Sequence, residues 1–121
     1  YIGYDEKLSH SIYAGADFLL MPSRVVPCGL NQLYSLRYGT VPIVRNIGGL
    51  KDTVIDINKA GFGITHEETS VASICKAISR GVKFYAQHKI FRKNLKRLMK
   101  IDHSWEVSAT QYVQLYNSLK N

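Results

Sequence analysis

Apolar residues fall along the chain in two rhythms. Short runs at Ala16–Met21, Gly39–Arg45 and Gly61–Ile64 do not alternate with polar positions. That is the pattern of strands covered on both faces, as in a parallel sheet. Elsewhere apolar positions recur every three to four residues, the spacing of helices packed on one side. Leu8, Ser11 and Ile12 form the inner face of a first helix, with Asp5 as its cap, Glu6 in its first turn and Gly15 at its end. Leu33–Tyr38 predicts a second helix, stopped by Gly39. Val71, Ile74, Cys75, Ile78 and Val82 predict the apolar face of a third, running from a Thr69 or Ser70 cap to about His88. Phe91, Leu95 and Leu98 mark a further helix over roughly Ile90–Lys100. Ser104 caps a last one, with Trp105, Ala109, Tyr112, Val113, Tyr116 and Leu119 on one face. Tyr1–Tyr4 reads as the end of a strand. Pro22 closes the first complete strand, and Pro42 places the second at a sheet edge or at a strand start.

Strands alternating with helices predict an α/β fold with a doubly wound parallel sheet, Rossmann-like but partial. Three complete strands are few for such a sheet, so the unit is expected to be truncated at its N-terminus.

Between the first strand and the second helix lies Ser23-Arg24-Val25-Val26-Pro27-Cys28-Gly29-Leu30-Asn31-Gln32. A tight loop leading from a strand into a helix points free backbone N–H groups at an anion, and a glycine leaves that backbone open to a ligand. The loop therefore reads as a phosphate seat, although ordinary strand-to-helix turns share the pattern. Asn46-Ile47-Gly48-Gly49-Leu50 is a second glycine loop on the same side of the sheet, with Lys51–Val54 continuing as a helical turn.

Charge changes the picture little. The net charge is +7; residues 1–60 carry six Lys/Arg against five Asp/Glu, which leaves +6 for the remainder. From Lys76 to Lys100 there are nine basic residues and no acidic one. A polyanion-binding face is one reading, but no base-reading module or aromatic interleaving accompanies the charge, so a solvated outer surface is expected rather than a nucleic-acid partner. No stretch has the length of a membrane span, and the first residues do not form a signal peptide. Cys28 and Cys75 lie far apart and read as reduced thiols of a cytoplasmic protein, and His66, His88 and His103 share no ligand spacing, so no metal is expected.

The stretch PSRVVPCGLNQLYSLRYGTVPIVRNIGGLKDTV resembles the signature region of bacterial glycogen synthases and plant starch synthases. IGYDEKLSHSIYAGADFLLMPS before it and DHSWEVSATQYVQLYNSL after it extend the resemblance over essentially the whole chain. The resemblance implies residues 1–121 of a C-terminal nucleotide-sugar-binding domain in a two-domain, GT-B-type glycosyltransferase, with about 101–121 as a crossing helix and the N-terminal acceptor domain absent. It implies transfer of glucose from ADP-glucose to the non-reducing end of an α-1,4-glucan with retention, without metal or other cofactor, in the cytoplasm or, in a plant, the plastid. It assigns base stacking to Tyr4, phosphate contacts to Gly29, Leu30 and Asn31, a place beside the glucose pocket to Cys28, and a cleft loop to Gly48 and Gly49. His10 has a family counterpart and reads as a packed or hydrogen-bonded side chain.

One departure stands out. The family residue before Pro-Cys-Gly-Leu is normally glutamate, and here it is Val26. A carboxylate beside the anomeric carbon favours the positive charge that develops there, and its loss typically costs a few kcal/mol, about two to three decades in rate. The family's basic residues for the leaving diphosphate also lie upstream of Tyr1. The chain by itself is therefore expected to be catalytically silent and, with an unpaired sheet edge, to self-associate. A non-catalytic relative that binds nucleotide or glucan in a regulatory role is the alternative that Val26 supports.

Overall fold

A computed structural model of the chain describes residues 2–120. Helix α1 (Glu6–Gly15) leads into strand β1 (Phe18–Met21), then α2 (Asn31–Tyr38), β2 (Val41–Arg45) and the short α3 (Gly48–Thr53). A single 3-10 turn (Ile57–Lys59) precedes β3 (Ile64–His66), and α4 (Val71–Ala86), α5 (His88–Leu98) and α6 (Trp105–Ser118) complete the chain. The strands are parallel in the order β1–β2–β3, with Phe18 opposite Val41 and Ile43 opposite Ile64. The predicted α/β class with a parallel sheet and flanking helices is the fold observed.

Pro42 does not mark an edge. It is the second residue of the central strand, and the backbone alternation explains why it is tolerated. The Val41 N–H donates to Asp17 O on the β1 side and the Asn46 N–H to His66 O on the β3 side. Alternation turns the Pro42 nitrogen toward β3, where pairing begins only at Ile43, so no ladder bond is lost. The third strand also lies later than expected. Gly61, Phe62 and Gly63 fold back on the 3-10 turn through N–H bonds to Asp56 O and Ile55 O, and β3 starts at Ile64. Tyr4 is in no strand; it precedes α1 in an irregular segment, and Tyr1 lies outside the described residues.

The main core gathers Leu36, Val41, Val44, Leu50, Val54 and Phe62 with Phe84, Phe91 and Leu98. A smaller cluster joins Ile43 and Ile64 to Ala77 of α4. Here α4 corrects the sequence reading: its buried residues are Ala77, Gly81 and Phe84, whereas Val71, Cys75, Ile78 and Val82 are exposed. The helix turns Gly81 inward because a backbone without Cβ can close on Ile43, Phe18 and Ile64. That rotation also carries Arg80 to Asp56. The Asp56 carboxylate is 6% exposed and accepts from Arg80, from the N–H groups of Asn58 (2.9 Å) and Thr65 (2.7 Å), and from the Thr65 hydroxyl (3.1 Å). The pair fixes α4 to β3 and to the 3-10 turn.

On α5, Phe91, Asn94 and Leu98 face inward and Lys89, Arg92, Lys93 and Lys96 face solvent, the arrangement of a charged outer surface. β1 is only half-covered, with Leu20 exposed, rather than buried on both faces. No residue of α6 is buried; Trp105, Tyr112, Val113, Tyr116 and Leu119 all stand in solvent. Ser104 occupies the cap position of α6 but its side chain makes no capping bond there; its own N–H donates to Asp102 Oδ1 (2.8 Å).

Candidate functional site

At the carboxyl end of β1 the chain turns through residues 22–30 and enters α2 at Asn31. Gly29 sits at φ +74°, a left-handed conformation that side chains other than glycine rarely adopt. Leu30, the residue at the helix cap, offers no side-chain acceptor. As a result the N–H groups of Gly29, Leu30, Asn31, Gln32 and Leu33 have no acceptor among the described residues. Gln32 is fully buried, so it is Gly29, Leu30 and Asn31, which reach solvent, that present free donors at the positive end of a helix with no acidic residue in its first turn. An anion of phosphate size matches that arrangement.

The second glycine loop lies against the first, backbone on backbone. A Cβ at Gly48 (φ +51°) would stand 1.8 Å from Val26 O, and one at Gly49 2.2 Å from Cys28 O. The Gly49 N–H donates to Pro27 O (3.1 Å). The link is completed by two residues that sequence reasoning did not single out. The Gln32 side chain is fully buried, and its Nε2 donates to Cys28 O (3.1 Å), Gly29 O (3.0 Å) and Thr53 Oγ1 (3.2 Å). Thr53 Oγ1 in turn donates to Gly49 O (2.6 Å). The available signal was helical spacing: a residue three to four positions after the loop reaches back over it.

A third loop joins at the same end of the sheet. Arg45 donates from Nη1 to Arg24 O (2.8 Å) and from Nε to Glu67 O (3.0 Å), and Asn46 Nδ2 donates to the Glu67 carboxylate (3.0 Å). The segments that follow β1, β2 and β3 are thereby tied together. Ligands of open α/β sheets bind at this end of the strands.

The sequence-named residues divide into two groups. Val26, Cys28, Gly29, Leu30, Asn31, Gly48 and Gly49 are brought together by the paired loops. Cys28 is an exposed thiol, Leu30 and Asn31 are exposed, and Val26 is half-buried, its side chain packed against the main core. Tyr4 is not part of this cluster. It is 86% exposed and lines a shallow depression with Asp5, Leu8, Ser9, Tyr13 and Leu19. His10 is hydrogen-bonded, its Nδ1 lying 2.6 Å from the Tyr38 hydroxyl.

Parallel strands with three loops gathered at their carboxyl ends define a Rossmann-like α/β unit of the kind that binds ligands at that edge. No protein-family model matches the chain. Individual relatives do: it is 56% identical to the glycogen synthase of Flavobacterium johnsoniae, over 97% of this chain and 25% of that one. It is 48% identical to the glycogen synthase of Rhizobium etli, over 98% of this chain and 26% of the relative. Among solved structures, the catalytic domain of starch synthase IV from Arabidopsis thaliana, bound to ADP and acarbose, superposes with a TM-score of 0.86 at 39% identity, over 97% of this chain and 25% of that one. Sucrose-phosphate synthase from Thermosynechococcus elongatus follows at TM-score 0.72 and 28% identity, over 98% of this chain and 29% of its own. The chain is thus a homologue of the glycogen and starch synthases along its whole length, and it spans about a quarter of the curated relatives it matches.

Proposed function

We propose that this chain supplies the donor-binding side of a glucan synthase that transfers glucose from ADP-glucose to the non-reducing end of an α-1,4-glucan with retention. The observation that carries the reading is the row of unpaired, solvent-reaching N–H groups of Gly29, Leu30 and Asn31, seated after β1 in a homologue of these synthases. The neighbouring starch synthase was solved with ADP and acarbose, a nucleotide and a glucan mimic, which supports the same pair of ligands here. In this reading the bond between the anomeric carbon and the diphosphate oxygen breaks, and a bond to the acceptor hydroxyl forms on the same face. The acceptor's proton leaves toward the departing ADP. Gly29, Leu30 and Asn31 donate to the diphosphate, so the charge that develops on the leaving group meets preorganised donors. Cys28 stands beside the sugar, Gly48 and Gly49 shape the cleft, and Tyr4 stacks on the base. The acceptor glucan is held by protein outside these residues. Neither metal nor other cofactor takes part, and the setting is the cytoplasm.

Val26 occupies the position of the catalytic carboxylate without supplying one. The test replaces the corresponding quarter of the Flavobacterium johnsoniae glycogen synthase with this chain and follows labelled glucose from ADP-glucose into glycogen, with Val26 as it stands and with Val26→Glu. The expected outcome is a gain of about 10²–10³ in rate on restoring glutamate. Equal activity from both would show the carboxylate to be dispensable. ADP binding with no turnover from either would favour a non-catalytic, regulatory relative.

A further inference from the structure

The fully buried Gln32 has one unusual feature: Nε2 serves three acceptors while Oε1 has no partner among the described residues. The orientation is dictated by its surroundings. Exchanging the two ends of the amide would set Oε1 against the carbonyl oxygens of Cys28 and Gly29, acceptor facing acceptor. One N–H is therefore shared between Cys28 O and Gly29 O, and the other reaches Thr53 Oγ1. Thr53 has a single hydroxyl proton, which goes to Gly49 O, so its oxygen is free to accept from Gln32. The Gly49 N–H closes the ring by donating to Pro27 O. The bonds run in one circuit: Gln32 to loop one, Gln32 through Thr53 to loop two, and loop two back to loop one. Leaving a buried carbonyl oxygen without a partner is unfavourable, yet the fold accepts it at Oε1. Its position beside Gly29, 2.7 Å from where a Cβ would stand, also keeps that residue a glycine.

We propose that Gln32 and Thr53 are positioning residues for the transfer reaction: they lock the two glycine loops into one rigid cradle and so aim the free N–H groups of Gly29 and Leu30 at the diphosphate. The proposal rests on the reading of the first loop as an anion seat. Neither side chain touches the ligand. Gln32 has no solvent-accessible surface, and Thr53 is half-buried behind the loops. Their effect is carried by backbone groups whose direction they set. A purely structural role would lower stability and weaken every ligand alike. A positioning role weakens only ligands that carry the diphosphate.

The experiment titrates this chain with ADP and with adenosine, using Gln32→Met, Thr53→Val, Thr53→Ser and the double variant Gln32→Met/Thr53→Val. Amide hydrogen exchange at Gly49, whose N–H donates to Pro27 O, is followed in parallel. Each of Gln32→Met and Thr53→Val is expected to weaken ADP about tenfold, while adenosine changes by less than about twofold. Because both act on one circuit, the double variant falls within about twofold of the single ones, and Thr53→Ser restores ADP binding. Exchange at the Gly49 amide rises in the valine and methionine variants, with α4 amides unchanged. Unaltered ADP affinity, or equal losses for ADP and adenosine, would overturn the proposal. If the unaltered chain binds no ADP, the anion-seat reading fails. Hydrogen exchange then decides the coupling by itself, and a Gly49 amide that stays protected in both variants would refute it.

Discussion

Gly49→Ala tests whether the two loops are in backbone contact. The added methyl would lie 2.2 Å from Cys28 O, 2.5 Å from its Cα and 2.7 Å from its carbonyl carbon. Real Cβ atoms essentially never approach another heavy atom closer than 3.0 Å, so the loops must part by 0.8 Å or more. All three opposing atoms are backbone, and no rotamer change relieves them. Parting the loops lengthens the Gly49 N–H bond to Pro27 O from 3.1 Å beyond hydrogen-bonding range, a loss of about 1 kcal/mol. Overpacking adds about 1–3 kcal/mol, and the lower chain entropy of alanine in the unfolded state offsets about 0.4–1 kcal/mol. The net destabilisation is about 1–3.5 kcal/mol, a sizeable share of the roughly 5–15 kcal/mol that holds a domain together. Urea unfolding followed by circular dichroism reads this as a fall of about 1–2 M in midpoint at constant slope. Gly15→Ala is the control, since a Cβ there meets nothing within 4 Å and the residue ends a helix. It is expected to be neutral or stabilising by up to about 1 kcal/mol. A Gly49→Ala chain as stable as the Gly15→Ala chain would refute the packing of the loops.

The remaining predictions concern the anchor of α4 and the uncovered surfaces. Burial pushes the Asp56 carboxyl up, but the Arg80 guanidinium and the N–H groups of Thr65 and Asn58 outweigh it and hold the group below its ordinary 3.8. A lowered native pKa means the unfolded chain takes up the proton first. The stabilisation is therefore complete above about pH 4 and is lost as pH falls through the native value. Asp56→Asn is expected to cost about 3 kcal/mol at pH 7 and to flatten the acid limb of the stability curve, measured by urea unfolding between pH 2 and 7. An unchanged acid limb would contradict the assignment. With the aromatic face of α6 exposed and β1 unpaired on one side among the described residues, the chain is expected to associate as its concentration rises. Light scattering checks this; Tyr112→Lys with Tyr116→Lys should weaken the association, and a single monomeric species across a wide concentration range would count against it.

The sequence carried the α/β class because unbroken apolar runs and helical spacing are local signals, and both survive in β2 and α5; α1 is a helix, but its expected inner face, Leu8, Ser11 and Ile12, is exposed, and β1 is covered on one face only. It misled where a tertiary contact decided the outcome. The apolar stripe Val71, Cys75, Ile78 and Val82 is the stronger amphipathic pattern on α4, yet the helix buries Gly81 and Ala77 because close approach to Ile43 and Ile64 needs small residues. A count of apolar positions gives a glycine no weight there. Pro42 left an edge or a strand start open, and the start is the reading that fits: it stands second in β2, ahead of the pairing with β3, and which neighbour its nitrogen faces depends on a register the sequence does not encode locally. In the site, Gly29 was legible as a loop glycine, and its φ of +74° agrees. The partnership of the loops was not. It depends on Gln32 and Thr53, separated by 21 residues, meeting through one hydrogen bond.

The same close packing bears on what Val26 can reveal. Its carbonyl oxygen lies against Gly48, and Gly49 holds the next residues from the other side, so the backbone at position 26 has little freedom. The direction in which side chain 26 leaves the loop is fixed by those contacts. Its Cγ1 lies 3.3 Å from where a Cβ on Gly29 would stand, so the side chain runs alongside the glycine that heads the row of free N–H groups. The same side chain packs against the main core, so the fold already accommodates an apolar group there. The backbone contacts at position 26 are made by main-chain atoms and do not depend on the side chain, so in the proposed reading a rate regained by Val26→Glu would measure the chemistry of the carboxylate rather than a repaired loop.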